Sequence, residues 1–195
     1  MKEYSETIRQ QLYSEIATLY GNWKMLKQLF GENEERVELM NRTASSFFSV
    51  IQDALLADLC VRLSRLTDPT KNRHQENLTI ERILELPCCS NNLALHRDLT
   101  KQIEELKTIC EPIRKHRNKA IAPSDFAIAL KPERLPVGLE QDIEKALQAL
   151  VGIWNTMERK VDSTATNFTK FTFLRGNGDA LIRALEWAEQ WKQHE

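Results

Sequence analysis

Residues 114–119, Arg-Lys-His-Arg-Asn-Lys, set five basic or titratable side chains in six positions, and Pro123 and Asp125 follow closely. Two kinds of chemistry belong to such a set. A guanidinium presents a fork of N–H donors that grips phosphate oxygens in pairs. An imidazole titrates near neutrality and so can carry a proton in either direction. His116 adjoins Arg117 but projects about 100° away from it on a helix of 3.6 residues per turn. Pro123 brings neither a titratable group nor a backbone donor. Asp125 can orient an arginine, but an exposed carboxylate, with an ordinary pKa of about 4, is a poor base at neutral pH.

A second charged set lies earlier. Asp58, Arg62 and Arg65 are spaced i, i+4 and i+7, which places them on one helix face. Two readings stand for them. Asp58 and Arg62 form an ordinary surface ion pair, or Arg62 and Arg65 face Arg117 across the fold and help to line a phosphate-sized site. The other histidines add little: His74 sits in a basic loop, and His96 and His194 have no suggestive neighbours. Cys60, Cys88, Cys89 and Cys110 show no C-x-x-C spacing and no histidine pair beside them, so no metal site is expected.

The elements that must position these groups are helices. Ile8, Leu12, Ile16, Leu19, Trp23, Leu26 and Phe30 recur by three or four and share one face, and Gly31 ends that helix. A second helix is expected from Glu34 to Thr67, with a stripe of Phe47, Ile51, Leu55, Leu59, Leu63 and Leu66, stopping before Asp68-Pro69. Residues 70–77 read as a polar loop, and Asn77 or Thr79 as the cap of a short helix reaching Leu86. A long helix is expected from Asn92 towards Ala122, kinked at Pro112. Its stripe, Leu95, Leu99, Ile103, Leu106, Cys110 and Ile113, next falls on Arg117. An arginine at an inward position is costly unless its charge is paired or its head reaches a cleft or an interface.

Residues 123–139, with three prolines, read as a loop. Ile143, Leu147, Leu150, Trp154, Met157 and Val161 form a seam suited to a helix bundle. Residues 163–178 read as an extended segment over the bundle. A last helix from Asp179 carries Leu181, Leu185, Ala188 and Trp191 inward. The aromatics, Phe168, Phe171 and Phe173 included, are read as packing. The fold class is thus all-α: one helical domain over 1–195, a bundle of five or six helices.

Composition bounds the rest. With 28% charged residues and a net charge of −1, no global field advertises a nucleic-acid or membrane binder, so any such role rests on a local patch. No apolar run approaches the roughly 20 residues that span a bilayer, and the acidic start Met1-Lys2-Glu3-Tyr4-Ser5-Glu6 does not read as a signal peptide. A cytoplasmic protein without cofactor and without membrane contact is expected.

The run Arg117-Asn118-Lys119-Ala120-Ile121-Ala122-Pro123-Ser124-Asp125 resembles the signature of the HEPN superfamily, an arginine and a polar residue followed four to six residues on by a histidine. The stretches FGENEERVELMNRTASSFFSVIQDALLADLCVRLSRLTDP, NLTIERILEL, EPIRKHRNKAIA and GNGDALIRAL extend the likeness to the U-type branch associated with bacterial abortive infection. The resemblance implies a homodimer that cleaves RNA without metal at the subunit interface, histidines activating the ribose 2′-hydroxyl and arginines holding the phosphate. Carried over residue by residue, it makes Arg117 and Asn118 the catalytic remnant and puts Pro123 at the histidine position, with His116 as a substitute base. Arg62, Arg65, Arg114 and Lys119 become phosphate contacts. Three functions stay open: a degenerate member binding RNA or a partner without cutting, an active endoribonuclease using another base, and a structural or regulatory helical protein with no nucleic-acid role.

Overall fold

A computed structural model describes residues 2–72, 75–118, 138–161, 164–170, 173 and 176–192. Helix α1 spans Lys2–Phe30 and α2 spans Glu34–Leu66. Asn33 caps α2 by accepting from the Arg36 amide at 3.0 Å, with Glu34 and Glu35 in the first turn where the helix dipole favours acids. Strands β1 (Lys71–Asn72) and β2 (Gln75–Glu76) then pair antiparallel, Lys71 opposite Glu76. A 3-10 turn over Ile80–Glu85 and the short helix α3 (Pro87–Ser90) lead to α4 (Leu93–Ile109). Asn92 caps α4 by accepting from the Leu95 amide. Helix α5 covers Glu111–His116, α6 Leu139–Val161 and α7 Gly178–Lys192, with a 3-10 turn at Phe168–Lys170 between the last two. The fold is all-α, five long helices and short turns, with one small hairpin among the described residues.

The expected stripes build the main core. Leu12, Ile16, Leu19, Leu59, Leu63, Leu99, Ile103, Leu106, Ile143, Leu150 and Trp154 are all buried in one cluster fed by α1, α2, α4, α5 and α6. Pro112 acts more sharply than a kink. Helix α4 ends at Ile109, Cys110 forms the joint, and α5 restarts with the proline in its first turn, where the missing donor costs nothing. Residues 119–122 of the expected helix lie outside the described residues. The expected polar loop at 70–77 contains the hairpin, and the short helix to Leu86 is the 3-10 turn, with Thr79 at its cap position but making no side-chain cap bond.

Two registers differ from expectation. Helix α2 breaks at Ala44 (φ −162°, ψ 67°). Phe48 is buried in a second small core with Leu29, Leu39, Met40 and Ile182, whereas Phe47 is 58% exposed. Three successive steps of four carry Phe47 about 120° round the helix from Leu59, whereas Phe48 lies within about 20° of it. In α7 it is Ile182 that turns inward, while Leu181, Ala188 and Trp191 are exposed. Polar anchors set that rotation. The Gly178 amide donates to Gln28 Oε1 at 3.2 Å, Gln28 Nε2 donates to Asp179, and Arg36 Nη1 donates to Asp179 at 2.7 Å. A Cβ on Gly178 would stand 2.7 Å from Gln28 Cβ, so the close approach requires glycine.

Part of α2 is more apolar than its sequence suggested: by length and composition alone it could cross a bilayer. The apolar stretch includes Asp53 and Asp58, and its later half belongs to the main core through Leu56, Leu59 and Leu63. Its earlier half is largely exposed, Phe48 excepted. Phe47 and Val50 there, with Trp187 and Trp191 on the neighbouring α7, are large apolar side chains left in solvent.

Candidate functional site

The end of α2 and the whole of α5 meet where the basic run lies. Helix α2 stops at Leu66 because Pro69 disfavours a helical residue before it, and this leaves Thr67 and Asp68 at the helix end. Thr67 is buried, and its hydroxyl donates back to the Leu63 and Ser64 carbonyls. From α5, Arg114 Nη2 donates to Thr67 O at 2.9 Å and to Thr67 Oγ1 at 2.8 Å. Arg114 Nε stands 3.6 Å from Asp68 Oδ1, and Arg117 Nη1 stands 3.5 Å from Asp68 Oδ2. Arg117 Nε donates to Asn118 Oδ1 at 3.1 Å. One carboxylate thus gathers two guanidiniums, Arg114 on α5 and Arg117 just past its end.

Both contacts to Asp68 are charge pairs too long for good hydrogen bonds. Arg114 Nε is buried and has no hydrogen-bond partner. The arginine side chains are partly exposed, 29% and 22%. Arg65, in the last turn of α2, is exposed. Two guanidiniums set against one carboxylate leave a local excess of positive charge in a protein whose net charge is −1. Beneath it lies Cys110, whose thiol burial pushes up to about 11, against smaller opposing effects from Thr67 and the Arg114 charge.

The periodicity put Arg117 at an inward step, and it is partly buried there with its charge paired. Its partner is Asp68. Sequence reasoning used Asp68 only as a helix stop, although an acid fixed at a proline-terminated helix end was the available signal. His116 is buried, turned from the face that carries Arg117. Arg62 is not gathered here. It sits between α1 and α2, where Nε donates to Asp58 at 2.9 Å and Nη1 to Glu15 at 3.0 Å, while Asn22 Nδ2 donates to Asp58 at 2.7 Å. The ordinary-pair reading of Asp58 and Arg62 describes this contact, extended by Glu15. Lys119, Pro123, Asp125, His74 and His194 lie outside the described residues, and so does Phe171. Among the described residues no group of three or more His, Cys, Asp or Glu could hold a metal ion.

The HEPN family model described as AbiU2 matches residues 1–173. The chain belongs to this HEPN family. The match takes in α1 to α6 and the whole arginine cluster, while α7, with the exposed Trp187 and Trp191, lies beyond it. No curated protein and no solved structure matches the chain. The AbiU2 assignment gives the cluster its setting: an all-α HEPN protein of an abortive-infection family, with paired arginines at the junction of α2 and α5.

Proposed function

We propose that this AbiU2 protein binds RNA through Arg114 and Arg117 and does not cleave it. The observation that carries the reading is the pair of partly exposed guanidiniums set on one carboxylate, Asp68. Arginine donors fixed in this way suit phosphate oxygens, because the fork is already oriented and little freedom is lost on binding. Cleavage needs a group that takes the 2′-hydroxyl proton. Pro123 occupies the histidine position of the motif, and His116 is buried on another side of α5. The protein acts as a homodimer in which two such clusters form one anionic-strand groove, in a cytoplasmic phage-defence setting.

Binding of labelled single-stranded RNA across a salt series tests this. Two phosphate contacts from each of the two clusters give a slope of log affinity against log salt of about −2.8, since each contact contributes about −0.7. Arg117→Ala, present in both protomers, reduces the slope by about 1.4 and weakens binding about tenfold or more. RNA affinity absent at low salt, where electrostatic binding is strongest, contradicts the proposal.

A further inference from the structure

Two cysteines stand side by side in α3. Cys88 and Cys89 follow Pro87, and their Sγ atoms lie 3.5 Å apart. Adjacent side chains on a helix ordinarily project about 100° apart and do not face each other. Here both turn towards the main core: Cys89 is buried in it, and Cys88 packs against it while remaining partly exposed. Cys88 reaches an opening. It lines a cavity of about 530 Å³ between α1, α3 and α6, together with Arg9, Leu86, Pro87, Met157 and Val161. Cys60 and Cys110, the other two cysteines, are buried in the main core. A small water-soluble oxidant that enters the cavity therefore meets one thiol, and that thiol already has a second sulfur in contact.

We propose that Cys88 and Cys89 form a reversible redox site, at which hydrogen peroxide converts the adjacent thiols to a disulfide. The Cys88 thiolate attacks one peroxide oxygen, the O–O bond breaks, and the departing hydroxide takes up a proton to leave as water. Cys88 is then a sulfenic acid, oxidised by two electrons. The Cys89 sulfur attacks the Cys88 sulfur, the S–O bond breaks, and the Cys89 proton leaves with the hydroxyl as a second water. Two thiols and one peroxide thus give one disulfide and two waters. Burial, with a smaller contribution from the Cys88 contact, pushes the Cys89 thiol up to about 12, so it stays protonated until Cys88 is oxidised. Adjacent Cα atoms are about 3.8 Å apart, short of the usual span of about 4.4–6.8 Å across a disulfide, so the closed ring is strained and easily reduced. Labile bonds of this kind serve regulation rather than support. Ring closure takes both residues out of helical geometry, which gives up the Ser90 amide bond to Leu86 at 2.9 Å and the Asn91 bond to Pro87 at 3.2 Å. The site shares no residue with the arginine cluster, and its failure leaves the RNA reading untouched.

Mass spectrometry of the full chain after exposure to hydrogen peroxide tests the site, with circular dichroism recording that the chain stays helical. A loss of about 2 Da, two hydrogens, is expected, mapped by peptide analysis to the Cys88–Cys89 pair and reversed by glutathione. Cys88→Ser, at a partly exposed position, abolishes the loss. Cys89→Ser leaves Cys88 as a sulfenic acid, about 16 Da heavier at that residue and trapped by dimedone. No loss of mass in the folded wild-type chain, a loss that survives in Cys88→Ser, a bond that glutathione leaves intact, or an S–S bond joining Cys60 to Cys110 or two chains to each other overturns the proposal.

Discussion

Replacing Arg114 and Arg117 by alanine, one at a time, separates the arginine that also holds the fold from the one that contributes little to it. Arg114 makes two bonds to Thr67, at 2.9 Å to the carbonyl and 2.8 Å to the hydroxyl, and Thr67 is 4% exposed. Without the guanidinium, the hydroxyl can still donate to the Leu63 and Ser64 carbonyls, but the Thr67 carbonyl at the end of α2 loses its donor. An unsatisfied buried acceptor costs about 1–3 kcal/mol, and partial access of water to the 29%-exposed arginine position puts the loss near the middle, about 2 kcal/mol. For a chain of 195 residues that lowers the melting temperature by about 4–8 °C. Arg117 makes a charge pair at 3.5 Å and one bond to its exposed neighbour Asn118. Its removal costs less than about 1 kcal/mol, and melting falls by less than about 4 °C. Urea denaturation and thermal circular dichroism of the two variants read this difference. An Arg117→Ala variant that loses as much stability as Arg114→Ala, or more, refutes the division of roles.

Gly178→Ala is expected to destabilise by about 1–3 kcal/mol, because its Cβ would meet Gln28 Cβ and strain the Gly178–Gln28 bond; an unchanged urea midpoint contradicts this. Arg62→Ala leaves Asp58 and Glu15 together without their cation at a site about one-third exposed, so a loss of about 1–2 kcal/mol is expected. In a double-mutant cycle with Asp58→Asn the two losses should sum to more than the combined variant shows. Burial holds the Cys60 and Cys89 thiols up to about 12 and Cys110 up to about 11, from ordinary values of about 9, with Tyr20 raised likewise. The unfolded chain therefore releases protons that the folded chain keeps. Stability should be insensitive to these groups below about pH 8.5 and fall as pH rises from about 9 to 12; a urea midpoint that does not fall over that range contradicts it.

The helices of the core were legible because their apolar residues recur at three and four and every stripe meets another. Arg117 was legible for the complementary reason: it interrupts such a stripe. What escaped the sequence depends on contacts between distant segments. The break at Ala44 leaves no proline or glycine as a mark. The rotation of α7 is set by Gln28 and Arg36, some 140 to 150 residues away, and overrides the choice between Leu181 and Ile182 that its own pattern leaves open. In the sequence Asp68 shows only as part of a helix stop. Its role as the anion between two arginines appears once α5 is placed against the end of α2. Arg62 satisfied the spacing of a phosphate contact and of an ion pair equally, and only the position of Glu15 on α1 shows where its donors go.

The most direct measurement is incubation of labelled single-stranded RNA with the purified protein and with Arg117→Ala, following bound and cleaved fractions together. The wild-type protein should bind and return the RNA intact, and the variant should bind about tenfold or more weakly at low salt. RNA cleavage by the wild-type protein that disappears in Arg117→Ala would contradict a site that grips phosphate without moving a proton.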